Sequence, residues 1–223
     1  MRSLLLNICL PAIWAIVICE TVIAVLLFKR WQKTKQPLSL LTLLVSAGLI
    51  LDAMIIGLGS WIAPDVLKTI SPIRFIAHGV LIPLLFPICG YALDLKKPVM
   101  NVLWIVTAVL MAAGAAQAFF TVLEPKEIAG VVRYVSGADT PKWADMISRI
   151  LSFGTVIPMM IAGVFVWIRQ KTPYLFLSAF LMFVFSALGP ATGNADLIFF
   201  ISMFGELFMV LFLYLYAKKR EAS

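Results

Sequence analysis

Four ionisable side chains interrupt the apolar stretches of this chain: Glu20, Asp52, His78 and Glu206. His78 is the only histidine, and Arg74 precedes it by one helical turn in RFIAHGVLIPLL. Residues four apart share a helix face, so a guanidinium and a titratable imidazole point the same way. A charge at the bilayer centre costs about 2.5–3.5 kcal/mol on insertion scales, so such groups face the bundle interior and find partners there. An imidazole among carboxylates can relay protons, act as a general base or hold a polar ligand. The candidate binding set is therefore Asp52, Arg74, His78 and Glu206, with Arg149 as a second cation for the outer rim. Glu20 lies nearer the inner side and reads as a structural group snorkelling towards Lys29 or Arg30.

These residues need a scaffold, and composition names its class. With 62% hydrophobic and only 13% charged residues, the chain departs far from the roughly half-apolar, quarter-charged mix of a soluble domain. A bilayer core about 30 Å thick needs about 20 apolar residues per helix. Seven runs meet that need, at 4–28, 38–63, 73–95, 99–122, 147–168, 173–191 and 196–217. The expected fold is an all-α integral membrane protein, one seven-helix domain over 1–223, with an external loop at 123–146. The first run is too long for a signal-peptide core and lacks a small-residue cleavage pattern, so it reads as a retained span.

Depth follows from about 1.5 Å of rise per residue. Asp52 falls about 21 Å above the inner end of span two, and His78 falls at a comparable height in span three. Glu206 comes near the midplane of span seven. No helix is visibly interrupted, although Pro83, Pro87 and Pro158 can loosen theirs by removing an intrahelical bond. Span four, AVLMAAGAAQAFF, is rich in the small residues that let backbones approach closely, and Gln117 is its notable polar group.

Alternate connections divide the basic residues unequally. One face holds eleven of the 18 Lys and Arg, among them Lys29, Arg30, Lys96, Lys97, Arg169 and Lys218. By the positive-inside rule that face is cytoplasmic, which puts the N-terminus outside and the C-terminus inside a cell (inner or plasma) membrane. The net charge of +7 is then a matter of topology and calls for no nucleic-acid partner. FKRWQKTKQPLSLLTLLVSAGL and VWIRQKTPYLFLSAFLMFVFSALG echo each other, and YALDLKK echoes YLYAKK. The pattern permits two parallel repeats in a 3+1+3 arrangement about span four.

Several chemistries fall away. No lysine lies within a span to form a retinal Schiff base, and one histidine cannot supply the two axial ligands of a b-type haem. Cys9, Cys19 and Cys89 form neither a CxxC nor a zinc-site spacing, so no metal or cofactor is expected. There is no GxSxG elbow and no P-loop, and Ser46, Ser152 and Ser186 carry no flanking nucleophile signature.

LDAMIIGLG, LKTISPIRFIAHGVLIPLL and FGELFMV together resemble an uncharacterised family of bacterial and fungal multi-span membrane proteins. In that family an early Asp precedes an Arg-x-x-x-His-x-x-x-x-Pro-Leu-Leu segment, and Gly-Glu occurs in the last span. The resemblance rests here on Asp52, Arg74, His78, Pro83, Gly205 and Glu206, with Ala53 where the family has Asn. It implies that these residues form one site and implies no activity.

Three functions fit. A transporter or channel-like protein would use Asp52, His78 and Glu206 to bind a small solute or relay protons. A metal-free lipid-active enzyme would use His78 or Asp52 as base, Glu206 as acid, and Arg74 with Arg149 to hold a phosphate headgroup. A receptor or assembly subunit would keep the buried charges only as structural pairs. The expected partners are the lipid bilayer and a small-molecule or lipid ligand.

Overall fold

The computed structural model describes residues 2–220, so positions 1 and 221–223 of the expected domain lie outside the described residues. Helix accounts for 82% of the structure. In chain order the elements are α1 (Arg2–Thr34), α2 (Pro37–Leu58), α3 (Pro64–Leu81), a 3-10 turn (Ile82–Leu84), α4 (Leu85–Ala92) and α5 (Lys97–Phe120). Strands β1 (Leu123–Ile128) and β2 (Val131–Ser136) follow, then α6 (Lys142–Gln170), α7 (Tyr174–Ala191) and α8 (Ala195–Arg220). Among the described residues, six helical segments are long and apolar enough to cross a membrane, with α3 through α4 taken as one. The apolar part of α7, Tyr174–Leu188, is shorter. The architecture is that of a helical membrane protein.

Local chemistry explains the boundaries. Helices α2, α3 and α5 each begin with a proline in the first turn, where its fixed φ and missing N–H suit a helix start. Lys35, Asp94 and Lys171 turn the chain just beyond helix ends with φ of 53–54°. Helix α3 starts nine residues before the hydropathic run, because Pro64 and Asp65 open the polar turns of PDVLKTIS as helix. Arg74 therefore sits in mid-helix and not at a helix mouth. The third span passes from α3 to α4 through a 3-10 turn at Ile82–Leu84. Pro83 has no N–H to offer the Gly79 carbonyl, so the α-helical ladder cannot pass through it.

The bundle has two main apolar layers. In one, Leu27, Leu49, Ile88, Met159 and Leu213 bring α1, α2, α4, α6 and α8 together. In the other, Ile13, Ile56 and Met203 join α1, α2 and α8 to Ile128 and Val131 of the strands. Helices α3 and α5 meet backbone to backbone at two glycines. A Cβ on Gly114 would stand 2.2 Å from the Gly79 carbonyl oxygen, so neither position tolerates a side chain without the helices separating. At the opposite end, Arg220 donates to the Ala92 carbonyl at 3.0 Å and pairs with Asp94, while Gln170 donates to the same carbonyl at 2.8 Å. That network ties α4, α6 and α8.

The expected external loop at 123–146 is instead an antiparallel hairpin followed by the first turn of α6. Ala129 and Gly130 both have positive φ, 51° and 77°, the two-residue turn whose twist matches paired strands. The hairpin does not hang free: Ile128, Ala129 and Val131 are buried in the second apolar layer. The Ala129 N–H donates to Asp196 Oδ1 of α8 at 2.7 Å. Gly59, just past α2, is the other anchor, since a Cβ there would fall 1.9 Å from the Val132 carbonyl oxygen. At the base, the Thr140 hydroxyl accepts from the Val122 N–H at 3.1 Å.

Two stability predictions follow. Gly114→Ala should destabilise the detergent-solubilised protein by about 1–3 kcal/mol, the usual cost of overpacking, whereas Gly154→Ala, whose Cβ would meet nothing closer than 3.6 Å, should be neutral or slightly stabilising. Equal thermal midpoints for the two variants would refute the close α3–α5 approach. Asp196→Ala removes a charge-assisted bond worth about 1.5–3 kcal/mol, and limited proteolysis should then cut within residues 123–136 faster than in the wild type.

Candidate functional site

The site is built around one buried ion pair. Arg74 Nε donates to Asp52 Oδ1 at 2.8 Å, joining α3 to α2 across a span of apolar packing. Both side chains are nearly sealed, 8% and 9% exposed. A second guanidinium nitrogen, Nη1, donates to the Tyr134 carbonyl of β2 at 3.3 Å. The hairpin thus comes down to the level of Arg74 and satisfies part of its donor fork. A guanidinium suits this role, because its planar donors can serve a carboxylate and a carbonyl together.

His78 lies one turn below on the same face. Its Nδ1 is 3.9 Å from Asp52 Oδ1, an electrostatic contact longer than a hydrogen bond. Unlike the pair above it, the imidazole is 39% exposed, and what it faces is interior space. The 3-10 turn of span three follows directly, with the Ile82 N–H bonded to the His78 carbonyl.

Two cavities meet at this ring. The first, of about 250 Å³, lies under the hairpin and is lined by Asp52, Arg74, Arg133, Tyr134 and Ser136 with a few apolar neighbours. The second, of about 330 Å³, runs into the bundle between Ile82, Leu85, Leu151, Val156, Phe183 and Met209. Five residues line both: His78, Gln117, Ser148, Ser202 and Glu206. They come from α3, α5, α6 and α8 and form a polar collar between a charged chamber and an apolar one. The Gln117 amide donates to the Thr121 hydroxyl at 2.8 Å, which orients its carbonyl oxygen.

Arg133 enters the site from the hairpin. Strand pairing sets it directly opposite Lys126, a like-charge pair that disfavours the sheet on its own. Asp52 and Glu206 offset that repulsion from the cavity side. Burial, helped by nearby Arg74, brings the Arg133 guanidinium down to about 10, against the pull of the two carboxylates. It therefore stays cationic at neutral pH, since its proton is lost only as the pH approaches that value.

Of the residues singled out from the sequence, Asp52, Arg74, His78 and Glu206 line this pair of cavities. Arg149 is exposed and lines neither, although its neighbour Ser148 lines both. Glu20 does not snorkel: it is fully buried, and neither carboxylate oxygen has a hydrogen-bond partner. It lies in α1 between Val17 of one apolar layer and Ile23 of the other, within electrostatic reach of Asp52 and Glu206. Among the described residues, no three His, Cys, Asp or Glu side chains are grouped to hold a metal ion.

Sequence reasoning missed Arg133, Ser148 and Ser202 as site residues, and noted Gln117 only as a polar group. Arg133 had a signal: VVRYVS is β-branched and aromatic with period two, and it follows an Ala-Gly turn. The serines had none, because isolated serines are common in membrane helices.

Removing one partner from a buried pair strands the other, at a cost of about 3–5 kcal/mol. Asp52→Ala should therefore lower thermal stability sharply, and the double replacement Asp52→Leu with Arg74→Met should recover much of the loss. A double variant weaker than the single one would disprove the pairing energetics. The chain matches no family model and no curated protein.

Proposed function

We propose that the chain is a seven-span protein of the cell membrane, N-terminus outside and C-terminus inside, that binds a small solute bearing an anionic group in an outward-facing intramembrane site. The observation that carries this reading is the shared lining of the two cavities, where a partly exposed imidazole and Glu206 open onto a chamber that also holds Arg74, Arg133 and Asp52. Asp52 neutralises one cation, Arg74, through a direct hydrogen bond. Arg133 adds a second guanidinium and Glu206 a second carboxylate to the same chamber, so a solute with an anionic group and a hydrogen-bond donor finds complementary charges there. The orientation rests on the unequal distribution of Lys and Arg between alternate connections.

Transport is the activity that the 3-10 turn within the third span favours, since a mid-helix stretch of this kind often marks a hinge. Membrane carriers bind substrate where helices are discontinuous, because unwound backbone lines a cavity and can change shape. Here the interruption at Ile82–Leu84 lies one turn from His78. The two triplets of spans around α5, if they are repeats, would move against each other about that site. A purely structural reading accounts for Asp52 with Arg74. It leaves His78, Glu206 and Gln117 without a reason to line open space.

The test is a ligand screen by thermal stability in detergent across pH, with phosphate, carboxylates, sulfonates and small polar metabolites. A bound solute stabilises by RT ln(1 + [L]/Kd), about 2.7 kcal/mol at a hundredfold excess over Kd. The wild type should shift upward with at least one anion, while His78→Ala and Arg133→Gln should lose that shift. Variants that melt early, with no ligand effect on any protein, would defeat the binding reading.

A further inference from the structure

We infer that Glu20 holds an exchangeable proton behind the solute site, and that the charge on Glu206 governs when this proton leaves. The inference goes beyond solute binding and stands without it.

Position comes first. Helices α1 and α2 run antiparallel across a short turn, and a Cβ on Gly57 of α2 would stand 3.2 Å from Ile13 Cγ2 of α1, which fixes their register. Glu20 follows Ile13 by seven residues, about two turns, and so shares the face that Ile13 turns to α2. The matching point on α2, seven residues before Gly57, is Ile50, close to Asp52. The Cα–Cβ bonds of a helix tilt towards its N-terminus, so the Glu20 side chain leans to the Asp52 end of the seam.

No donor meets it there. Glu20 is fully buried, and among the described residues neither carboxylate oxygen has a hydrogen-bond partner. An ionised carboxylate in such a place loses its water and gains nothing in return, a cost that proteins avoid by keeping the group neutral. The balance of charge leads the same way. Arg74 and Arg133 line one chamber with Asp52 and Glu206, two guanidinium groups with two carboxylates. Glu20 is a third carboxyl, and one proton on it leaves the five groups neutral together.

The charged groups that reach Glu20 from the helices packed on α1 are Asp52 of α2 and Glu206 of α8, both acidic. On α1 itself Cys19 is exposed, and Lys29 and Arg30 lie more than two turns away. A hard metal cation would need several oxygen ligands. Glu20 instead lies between Val17 and Ile23 of the two apolar layers, and a proton needs only one oxygen. Glu206 lines both cavities and is open to what enters them. While it is ionised, a negative charge on Glu20 is opposed. Once a proton or a solute donor neutralises Glu206, that opposition falls and Glu20 can release its proton.

The experiment is infrared spectroscopy of the protein in dodecyl maltoside, which has no carbonyl group, across pH and in H2O and D2O. At neutral pH the wild type should show the carbonyl band of a protonated carboxyl, and the band should shift in D2O. Glu20→Gln and Glu20→Met should each remove it, so one misfolded variant leaves the other to decide. In Glu206→Gln the band should be lost on raising the pH about one unit earlier than in the wild type, because a like charge is gone. A wild type without the band, or a band that survives both Glu20 variants, overturns the inference. So does a band that never shifts in D2O, since its proton is then trapped and purely structural. Loss of the band in sodium chloride but not in choline chloride would give the place to a metal cation and also overturn it. An unchanged pH dependence in Glu206→Gln would disprove the coupling. These readings report Glu20 in the absence of any solute, so their failure leaves the solute site to its own test.

Discussion

Burying a guanidinium in a membrane protein forces its neighbours to supply every donor with a partner, and Arg74 sets that requirement for much of this molecule. Asp52 answers from α2 at 2.8 Å, and the Tyr134 carbonyl answers from the hairpin. Helix α2, helix α3 and strand β2 are thereby brought to one point. The hairpin can reach that depth only because Gly59 carries no side chain where β2 passes, and because Asp196 holds the turn to α8. Once it is there, Arg133 follows into the same space. A second cation in the site is thus a consequence of satisfying the first.

The surrounding helices pack unequally, and the inequality leaves room for a ligand. Helices α3 and α5 touch at Gly79 and Gly114, which lie next to His78 and one turn before Gln117. This close crossing brings an imidazole and an amide to the collar from two elements. Just below, Pro83 interrupts the third span, so α3 and α4 need not follow one straight axis. Two adjoining cavities of contrasting lining lie beside this tight contact. The buried, unpartnered Glu20 behind them adds a carboxylate at the boundary between the two apolar layers, coupled electrostatically to Asp52 and Glu206.

The legible part of this fold is the part governed by a one-dimensional rule. Apolar runs of spanning length announce helices because the bilayer leaves backbone groups no partner except their own helix. Ionisable residues in those runs announce the bundle interior for the same reason of solvation, and this led to Asp52, Arg74, His78 and Glu206. Helix starts were less legible. Residues 64–72 are too polar for a hydropathic run, yet a proline and an aspartate make them a good first helical turn.

By itself, the sequence determined a helical membrane protein, its approximate spans and the side chains whose burial demands partners, because each of these depends on local composition and period. Tertiary structure alone decided that residues 123–136 form a docked hairpin, that Arg133 shares a chamber with Arg74, and that Arg149 does not. It also decided that Glu20 is buried without a hydrogen-bond partner and that Gln117, Ser148 and Ser202 share the collar with His78. Those outcomes turn on which backbones can approach at Gly59, Gly79 and Gly114. Such an approach is a property of pairs of distant segments, and no period along a single chain encodes it.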